Sequence, residues 1–339
     1  MSTALRSAHA DALGRRLDAL DTCDRRWLEL LLAPLDLPTF FGRYWDQAPV
    51  HIGGNPRTGF ADLWDRSGLE RLLAHSQLPL AQVEVIGAGG SAPAPRRTVS
   101  GRPILDLRRI AEHVQRRGGG IRVHGIETYV PSVRDLADRL GPLLGATVAV
   151  NAYYTTPRLE GLSLHWDTHD VLVLQLDGAK HWTLYEPPIE RPIPPYHRST
   201  LYSLEPGEPT WEGVVRAGEL LYVPRGTPHL AKAFESSSLH LACGFVLPTW
   251  HDLLRSLSER VLARCAEDPM LRRSAPLFLG EGTIDDDAIE QLHEALRRQL
   301  AQPDHDALRT HWTTALVRPR SETWSLPSGD PVSPEEPTR

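Results

Sequence analysis

Short apolar runs separated by turns dominate the middle of the chain, from residue 146 to residue 248. The runs are rich in Val, Leu, Tyr and Trp, and the breaks between them contain Gly, Pro or Asp. The strand-like runs are Thr147–Tyr154, Asp170–Leu176, His181–Tyr185, Glu219–Val223 and Ser238–Val246. No helical block of the kind that builds a βαβ unit lies between them, so the pattern predicts an antiparallel β-sandwich or barrel.

Helical and loop-like patterns alternate before this region. Residues 8–33 carry leucines at roughly helical spacing, with a break over Asp21–Asp24. Residues 37–45 predict a second short helix that is opened by a proline. Residues 86–103 are rich in Gly, Ala, Pro and Ser and predict loops, whereas residues 134–144 predict an amphipathic helix with Ser132 as its N-cap.

The helical pattern returns after Pro248. Thr249 is the expected cap of a helix over residues 250–266, and Ile284–Leu300 carries an apolar stripe at i, i+4 spacing. Such a stripe indicates either packing on the barrel or a dimer surface. Residues 319–339 are polar and rich in proline, and we expect them to be disordered.

Composition narrows the classes of function. The formal net charge of −6 argues against a nucleic-acid binder, which usually presents a basic face. The three cysteines are too few and too scattered for a disulfide framework, which favours a reducing, cytoplasmic setting. No stretch has the length and apolar character of a signal peptide or a membrane span, so we expect no membrane association.

Three residues form a candidate metal site. His165 and Asp167 are two positions apart, and in a strand residues i and i+2 point to the same face. His229 follows an apolar strand and a turn, which would return the chain to the same end of the barrel. Two imidazoles and one carboxylate on one face of a metal leave three coordination positions open, as in non-haem Fe(II) oxygenases.

Other interpretations of these histidines exist. A single His-x-Asp is common by chance and often marks only a polar surface strand. His165 and His169 are four apart, which on a helix would offer two zinc ligands, but the flanking residues are strand-like. We expect structural or surface roles for His169, His181, His197 and His240, with His240 the best candidate for supporting the site from an inner strand.

Several motifs in a fixed order extend this interpretation. They are Asn151–Pro157, His165–Val171, Gln175–Trp182 and Tyr222–His229. With them the chain resembles, over roughly residues 30–300, the Jumonji-C-type cupin Fe(II)/2-oxoglutarate oxygenases, and within these the bacterial ribosomal oxygenase group. The resemblance implies an α+β fold whose core is a double-stranded β-helix, also called a jelly roll or cupin barrel. The helices before and after the barrel would pack around this core.

The resemblance also implies a role for each motif residue. His165, Asp167 and His229 match the iron ligands, Lys180 matches the residue that binds the distal carboxylate of 2-oxoglutarate, and Asn151 matches a residue that lines the co-substrate pocket. The implied function is hydroxylation of a peptide or protein side chain by an Fe(II)/2-oxoglutarate-dependent dioxygenase. The alternatives are a tailoring hydroxylase of a small peptide natural product or metabolite, and a non-enzymatic cupin-type binding or scaffold protein.

The strand pattern can be compared with these implied roles. Lys180 alternates with Trp182 and Leu184, and a lysine on an apolar face needs an anionic partner such as a dicarboxylate. Alternatively, Lys180 is exposed at the turn that follows Gly178. Asn151 is equally compatible with a core amide whose hydrogen bonds are satisfied.

The domain organisation follows from these segments. We expect a mixed N-terminal region over residues 1–130, the JmjC barrel over 131–248, a helical dimerisation region over 249–318 and a tail over 319–339. Only about 40 residues follow Leu300, which is too few for the winged-helix domain that usually completes ribosomal oxygenases. We therefore expect this domain to be absent. The apolar stripe over Ile284–Leu300 and the resemblance predict a homodimer.

The substrate expectation rests on two loops between strands, residues 187–196 and 206–211. Both loops contain proline, which stiffens a binding surface. Glutamates lie in or beside them, namely Glu186, Glu190, Glu205, Glu208 and Glu212. They favour a basic peptide substrate, although charged residues often serve only to solvate a surface.

Overall fold

The structure, a computed structural model, divides the chain into two units, Met1–Pro248 and Thr249–Arg339. It describes residues 14–53, 60–74, 78–87, 90–157, 164–193, 207–274, 286–301 and 310. The α-helices include α1 Thr22–Leu32, α2 Leu37–Thr39, α3 Arg66–Ala74, α4 Leu107–Arg117, α5 Pro131–Leu144, α6 Trp250–Cys265 and α7 Asp286–Leu300. A π-helix, Phe40–Tyr44, directly follows α2, so the predicted short helix over residues 37–45 is confirmed. Among the helices of the described residues, none has the length and apolar character needed to span a bilayer.

Within the part of the chain that the structure describes, the strands all belong to the first unit. They are β1 Val50–Ile52, β2 Val83–Gly87, β3 Gly90–Pro93, β4 Arg96–Val99, β5 Arg102–Leu105, β6 Gly120–Val123, β7 Thr147–Thr155, β8 Asp170–Asp177, β9 Ala179–Leu184, β10 Trp211–Arg216, β11 Leu220–Val223, β12 His229–Ala233 and β13 Ser238–Val246. The strand-like runs identified in the sequence are β7, β8, β9, β11 and β13, within two residues at each end. The prediction of these strands is therefore confirmed.

Two antiparallel sheets face one another in this unit. Among the described residues, the larger sheet has the strand order β1-β11-β8-β13-β7-β6-β2-β3, and the smaller has the order β10-β9-β12. Val171 and Val173 of β8 pack against Trp182 and Leu184 of β9 in the space between the sheets. The predicted α+β class with a core of two facing antiparallel sheets is confirmed.

Strand β8 is buried on both of its faces. Val171 and Val173 face the smaller sheet, whereas Leu172 and Leu174 belong to the core that the N-terminal helices cover. Successive side chains of a strand point to opposite sides, so one strand can serve two cores. This explains why residues 171–174 of β8 form an unbroken apolar run rather than an alternating one.

The prediction of loops over residues 86–103 is wrong. This segment contains the end of β2 and the strands β3, β4 and β5, and it includes the antiparallel pair β4–β5. Residues Arg96–Val99 are all exposed, so the strand lacks the buried alternation that identifies strands in a sequence. Pairing through the backbone holds these strands together despite their Gly, Pro and Ser content.

Two helix starts differ in how well the sequence predicted them. Helix α1 begins after Asp21, whose carboxylate accepts the backbone N–H groups of Cys23 and Asp24. The expected break is therefore correct at Asp21 but wrong at Cys23 and Asp24, which already lie in the helix. The Ser132 cap is wrong: the N-cap is Val130, with Pro131 in the first helical turn of α5. The Ser132 hydroxyl instead donates to the Leu63 carbonyl. Residues 8–13 of the first predicted helix lie outside the described residues.

The second unit contains helices α6 and α7. Thr249 caps α6 as predicted, because its hydroxyl accepts the N–H of Asp252 and its own N–H donates to the Asp252 carboxylate. The guanidinium of Arg264 donates to the carbonyl of Gln299 at 2.7 Å, which links the two helices. The leucines of the predicted α7 stripe are exposed in the single chain, with Leu292 56% and Leu300 48% accessible. Its first member, Ile284, lies outside the described residues.

Candidate metal centre

Two segments that are far apart in sequence pair beside the barrel to form the candidate centre. The N–H of His229, at the start of β12, donates to the carbonyl of His165 at 2.9 Å. The N–H of Gly226 donates to the carbonyl of Asp167 at 2.8 Å. These backbone bonds fix the segment that carries His165 and Asp167 against the turn that carries His229.

The pairing brings the three predicted ligands together. One donor atom from each of His165, Asp167 and His229 lies within 4.8 Å of the others. Nε2 of His229 is 4.0 Å from a carboxylate oxygen of Asp167, and the two imidazole ring centres are 4.5 Å apart. Nδ1 of His229 lies 3.0 Å from the Thr227 carbonyl and, as the donor, leaves Nε2 available as an acceptor. This is the tautomer that a metal-binding histidine requires.

Burial and mutual charge set the protonation of these groups. Burial, aided by the nearby His165, lowers the pKa of His229 to about 4. Burial acts to raise the pKa of Asp167, but the imidazoles of His229, His169 and His165 outweigh it, so the pKa is lowered. At neutral pH the site therefore offers a neutral His229 imidazole and a carboxylate, the forms that coordinate a divalent cation.

A buried polar cluster supports the turn before His229. Asp170 accepts the Arg225 N–H at 3.0 Å through one carboxylate oxygen and the Tyr222 hydroxyl at 2.5 Å through the other. The Tyr222 hydroxyl in turn accepts the Asp46 N–H at 2.7 Å, and the Arg225 guanidinium pairs with the Asp46 carboxylate at 2.9 Å. Burial raises the pKa of Asp170. The turn is thus tied both to the strand that follows Asp167 and to the N-terminal region.

Gly226 occupies the tightest point of that turn. Its φ of +87° lies in the region that favours glycine. A Cβ at this position would lie 2.6 Å from Cδ of Pro192 and 2.9 Å from the carbonyl oxygen of Ile189. A larger residue would therefore displace the loop containing Ile189 and Pro192, or the turn between Asp167 and His229.

Lys180 lies inside the barrel, on the β9 face that the sequence pattern predicted. It is only 4% exposed, and its ammonium is 5.8 Å from the ring centres of both Tyr153 and Trp182. The alternative of an exposed lysine at a turn is therefore wrong. No carboxylate of the described residues lies within ion-pair distance of it, and burial lowers its pKa to about 7. A buried lysine in this state lacks the anion that would stabilise its charge.

Two further polar atoms beside Lys180 have no hydrogen-bond partner among the described residues. They are Nδ1 of His240 and the indole nitrogen of Trp182. The His240 ring stacks on Tyr153, with centres 5.0 Å apart, and lies 5.8 Å from the Trp182 ring. Burial, and then the charge of Lys180, lower the pKa of His240 well below its usual value. Buried polar groups are normally paired, so this cluster indicates a missing polar ligand.

Trp182 connects the lysine pocket to the three candidate metal ligands. Its ring centre lies 5.8 Å from that of His229 and the same distance from the Lys180 ammonium. His240 was expected from its strand position to support the site, and the structure places it beside Lys180. The other predicted pocket residue, Asn151, is half-buried on β7 and its Oδ1 accepts the Gly125 N–H at 3.2 Å. This bond satisfies the oxygen, as the core-amide alternative expected.

Sequence reasoning missed the polar group around Arg122. Arg122 on β6 pairs with Glu84 on β2 and donates to the Ser91 hydroxyl at 3.2 Å. Its guanidinium lies 5.9 Å from the Tyr153 ring centre, and its charge helps to lower the pKa of Asp167. One feature of the sequence could have indicated this group: Arg122 is a charged residue between the apolar Ile121 and Val123 of a short strand.

The acidic residues of the substrate loops fall into two groups. Glu212 pairs with His181 at 3.1 Å, and Glu190 pairs with Arg191 at 3.6 Å. Glu186 and Glu208 are exposed, and no ion pair within the described residues involves them. Glu205, His197 and residues 194–206 lie outside the described residues. Two of the five glutamates are therefore engaged with neighbours of this chain.

Comparison with known proteins identifies the barrel. Residues 129–253 match the family described as JmjC domain. The chain is 29% identical over 261 residues to the bifunctional lysine-specific demethylase and histidyl-hydroxylase NO66 of Drosophila mojavensis, covering 75% of this chain and 29% of that protein. It is 30% identical to ribosomal oxygenase 2 of Rattus norvegicus, covering 74% of this chain and 54% of the relative.

Solved structures of Escherichia coli YcfD share the fold. One aligns with a TM-score of 0.60 and 19% identity, covering 88% of this chain and 76% of that one. Another, described as a ribosomal oxygenase in complex with cobalt and 2-oxoglutarate, aligns with a TM-score of 0.56 and 18% identity, covering 84% and 71%. The resemblance and the jelly-roll fold inferred from the sequence are confirmed. The chain spans about a third to about half the length of the two curated relatives.

Proposed function

We propose that this chain, whose residues 129–253 carry a JmjC domain, is an Fe(II)- and 2-oxoglutarate-dependent oxygenase that hydroxylates a side chain of a peptide or protein. One observation carries the proposal. His165, Asp167 and His229 converge within 4.8 Å, and Trp182 separates His229 from a buried lysine without an anionic partner among the described residues. A metal site beside an anion site is what this chemistry requires.

The three convergent residues fit Fe(II). Two imidazoles and one carboxylate are the protein ligands of non-haem iron oxygenases, and they leave coordination positions for other molecules. The bond of His229 Nδ1 to the Thr227 carbonyl orients the ring before any metal arrives. The depressed pKa values of His229 and Asp167 keep protons from competing with a cation at neutral pH.

The lysine pocket fits 2-oxoglutarate. Lys180 would bind the distal carboxylate, while His240 Nδ1 and the Trp182 indole N–H are available for further polar contacts. Tyr153, which stacks on His240, forms an aromatic wall of the same pocket. Asn151 belongs to this proposal only as a residue near the pocket, because the Gly125 N–H already occupies its oxygen.

When bound, Fe(II) and 2-oxoglutarate would use O2 to place one oxygen atom on a substrate C–H bond and release succinate and CO2. The chain's own residues orient the co-substrate and exclude water from the reacting groups. Val171, Trp182 and Leu184 wall the barrel interior, and their burial keeps water from the reacting groups. Lys180 fixes one end of the co-substrate, so its reactive end would lie toward His229 rather than at random.

A polypeptide substrate is supported by the relatives. The Drosophila protein bears the description histidyl-hydroxylase, and the rat protein is called a ribosomal oxygenase. The exposed Glu186 and Glu208 would favour a basic segment over a neutral one. A cytoplasmic location and a homodimer belong to the same proposal. The small number and wide scatter of the cysteines, Cys23, Cys243 and Cys265, favour a reducing compartment.

The test is turnover of a panel of basic peptides compared with free amino acids. Purified protein would be incubated with Fe(II), 2-oxoglutarate and O2, and mass spectrometry would detect one added oxygen atom together with succinate. We expect modification of a histidine or arginine in a peptide. Turnover of a free amino acid without any modified peptide would contradict the polypeptide assignment. An absence of succinate with every candidate would contradict the oxygenase assignment.

A matched pair of variants tests the basic preference. Glu186→Lys combined with Glu208→Lys should raise KM for a basic peptide, because two attractive charges become repulsive. Glu70→Lys combined with Glu267→Lys, which makes the same change in net charge at two exposed positions outside these loops, should leave KM unchanged. Equal KM values for the double variant and the wild type would show that these glutamates only solvate the surface.

A further inference from the structure

A second surface of the first unit is strongly basic, and nothing in the proposed oxygenase chemistry uses it. It lies on the β4–β5 hairpin and at the start of α4. Its arginines, the arginine patch, are Arg96, Arg97, Arg102, Arg108 and Arg109, and all five are exposed. Between residues 96 and 109 the only acidic residue is Asp106, in a chain whose net charge is −6. This local charge is opposite in sign to that of the whole chain.

The arginine patch is not neutralised from within the described part of the chain. No ion pair to any of the five guanidinium groups occurs among the described residues, whereas Arg122, Arg139 and Arg225 each pair with a carboxylate. The carboxylate of Asp106 accepts the backbone N–H of Arg109 at 3.1 Å and caps α4. The charges are therefore available to a partner molecule.

A cavity of about 670 Å³, lined by both aliphatic and charged side chains, lies within the arginine patch. Arg97 and Arg108 line it, together with the aliphatic side chains of Leu73, Leu78, Leu80 and Ile104. Val99, on the same hairpin, is 41% exposed, and Leu107, which also lines the cavity, is 40% exposed. Exposed aliphatic side chains beside several arginines are typical of a binding site rather than of a solvated face.

We propose that the arginine patch and its cavity form a docking site for an acidic peptide segment with an apolar anchor residue. The anchor would enter the cavity between Leu73 and Ile104, and carboxylates on either side would pair with Arg97 and Arg108. Arginine suits this role because its guanidinium binds a carboxylate through two parallel hydrogen bonds. None of the residues that form the candidate metal centre lines this cavity, so the docking site and the proposed catalytic site are separate.

The cavity lining favours a peptide over a nucleic acid. Single-stranded nucleic acids are typically held by aromatic side chains on which bases stack, and none of the described residues that line the cavity is aromatic. Aliphatic walls with a basic rim instead match a leucine- or phenylalanine-like anchor flanked by aspartate and glutamate.

The test measures binding of a fluorescein-labelled peptide in which a central Leu-Phe pair is flanked by runs of aspartate and glutamate. Fluorescence anisotropy would be recorded with the full chain, without Fe(II), 2-oxoglutarate or substrate, so the result does not depend on oxygenase activity. We expect Arg97→Glu combined with Arg108→Glu to weaken binding about tenfold or more, since two charge-assisted bonds become repulsions. Replacing the Leu-Phe pair by Ala-Ala should weaken binding to the wild type to a similar extent.

Arg16→Glu combined with Arg26→Glu is the matched control. Both positions are exposed and lie outside the arginine patch, and the change in net charge is identical. This variant should bind the probe like the wild type. Ala74→Trp, which adds bulk at an exposed residue of the cavity lining, should reduce binding without changing any charge.

Three results would overturn the proposal. Equal loss of affinity in the patch variant and the control would reduce the effect to net charge alone. Insensitivity to both the peptide anchor and Ala74→Trp would exclude the cavity as an anchor site. Tighter binding of single-stranded RNA than of the peptide, lost in the Arg97→Glu, Arg108→Glu variant, would assign the surface to nucleic acid instead.

Discussion

The hydroxyl of Tyr222 donates a hydrogen bond to the carboxylate of Asp170 at 2.5 Å, at a place where both side chains are fully buried. The other oxygen of Asp170 holds the N–H of Arg225, at the start of the turn that leads to His229. The pair therefore connects a strand of the larger sheet to the backbone that positions one proposed metal ligand.

Tyr222→Phe should lower the free energy of unfolding by about 1–3 kcal/mol, because it leaves a buried carboxylate oxygen and the Asp46 N–H without their partner. Urea denaturation would measure the change. Tyr185→Phe, at a half-buried tyrosine, should change stability by less than about 0.5 kcal/mol. A Tyr222→Phe protein as stable as the wild type would show that the pair contributes nothing net.

Replacing any one of His165, Asp167 or His229 by alanine should abolish tight binding of a divalent metal, because each supplies one of three convergent donor atoms. Metal content after dialysis, measured by mass spectrometry, would test this. His181→Ala should keep its metal, since His181 pairs with Glu212 on the outer face of the smaller sheet. Unchanged metal content in all three variants would reject the proposed centre.

Lys180→Ala should weaken 2-oxoglutarate binding far more than metal binding, because the charge-assisted bond to the distal carboxylate is lost. Lys180→Arg should keep part of the affinity, because arginine also pairs with carboxylates. The loss should be partial because the guanidinium differs from the lysine ammonium in length and geometry. Calorimetry without O2, with Mn(II) in place of Fe(II), would compare the affinities. Lys232→Ala, at the only other lysine of the sequence, is the control. Equal affinity in wild type and Lys180→Ala would mean that another residue holds the carboxylate.

The affinity for 2-oxoglutarate should fall as the pH rises above about 7, because burial lowers the pKa of Lys180 to about 7 and the carboxylate requires its charged form. Calorimetry in buffers with different ionisation enthalpies should detect proton uptake on binding. For the ligand-free protein the sign is opposite. Between pH 7 and 10.5 the lysine of the unfolded chain, with a pKa of 10.5, binds a proton that the folded lysine has lost. The free energy of unfolding therefore increases as the pH rises through this range. Lys180→Met should remove both dependences, and their persistence in this variant would assign them to other groups.

Helices α6 and α7 should form a homodimer interface, because Leu254, Leu292 and Leu296 are 60%, 56% and 41% exposed in the single chain. Light scattering at micromolar concentration should give twice the chain mass. Leu292→Glu combined with Leu296→Glu should give a folded monomer, while Gln291→Glu, exposed on the same helix, should remain dimeric. A monomer mass for the wild type would contradict the interface.

The sequence predicted the parts of the fold that depend on local pattern. The strands β7, β8 and β13 are long and apolar, and the spacing of His165 and Asp167 depends only on the alternation of a strand. The exposed pair β4–β5 escaped prediction because partner backbones stabilise it rather than a buried face. Ser132 has good capping chemistry, but the helix already begins at Pro131.

The candidate site was likewise predicted only where local strand pattern was enough. Alternation was enough to place Lys180 with Trp182 inside the barrel. The contacts of Arg122 with Glu84 and Tyr153 join residues up to 38 positions apart, on strands whose register no local pattern fixes. The support of the His229 turn by Asp170 and Tyr222 likewise depends on tertiary contacts.

The two-sided burial of β8 makes the centre sensitive to the length of the chain. An insertion or deletion of one residue inside β8 would send Val171 and Val173 to the helix-covered side and Leu172 and Leu174 to the barrel interior. It would also shift Asp167 by about 3.3 Å along the chain relative to the part of β8 beyond the change, which is more than metal coordination tolerates. Natural variation in chain length should therefore concentrate in the loops, and the number of residues between Asp167 and Gln175 should stay constant.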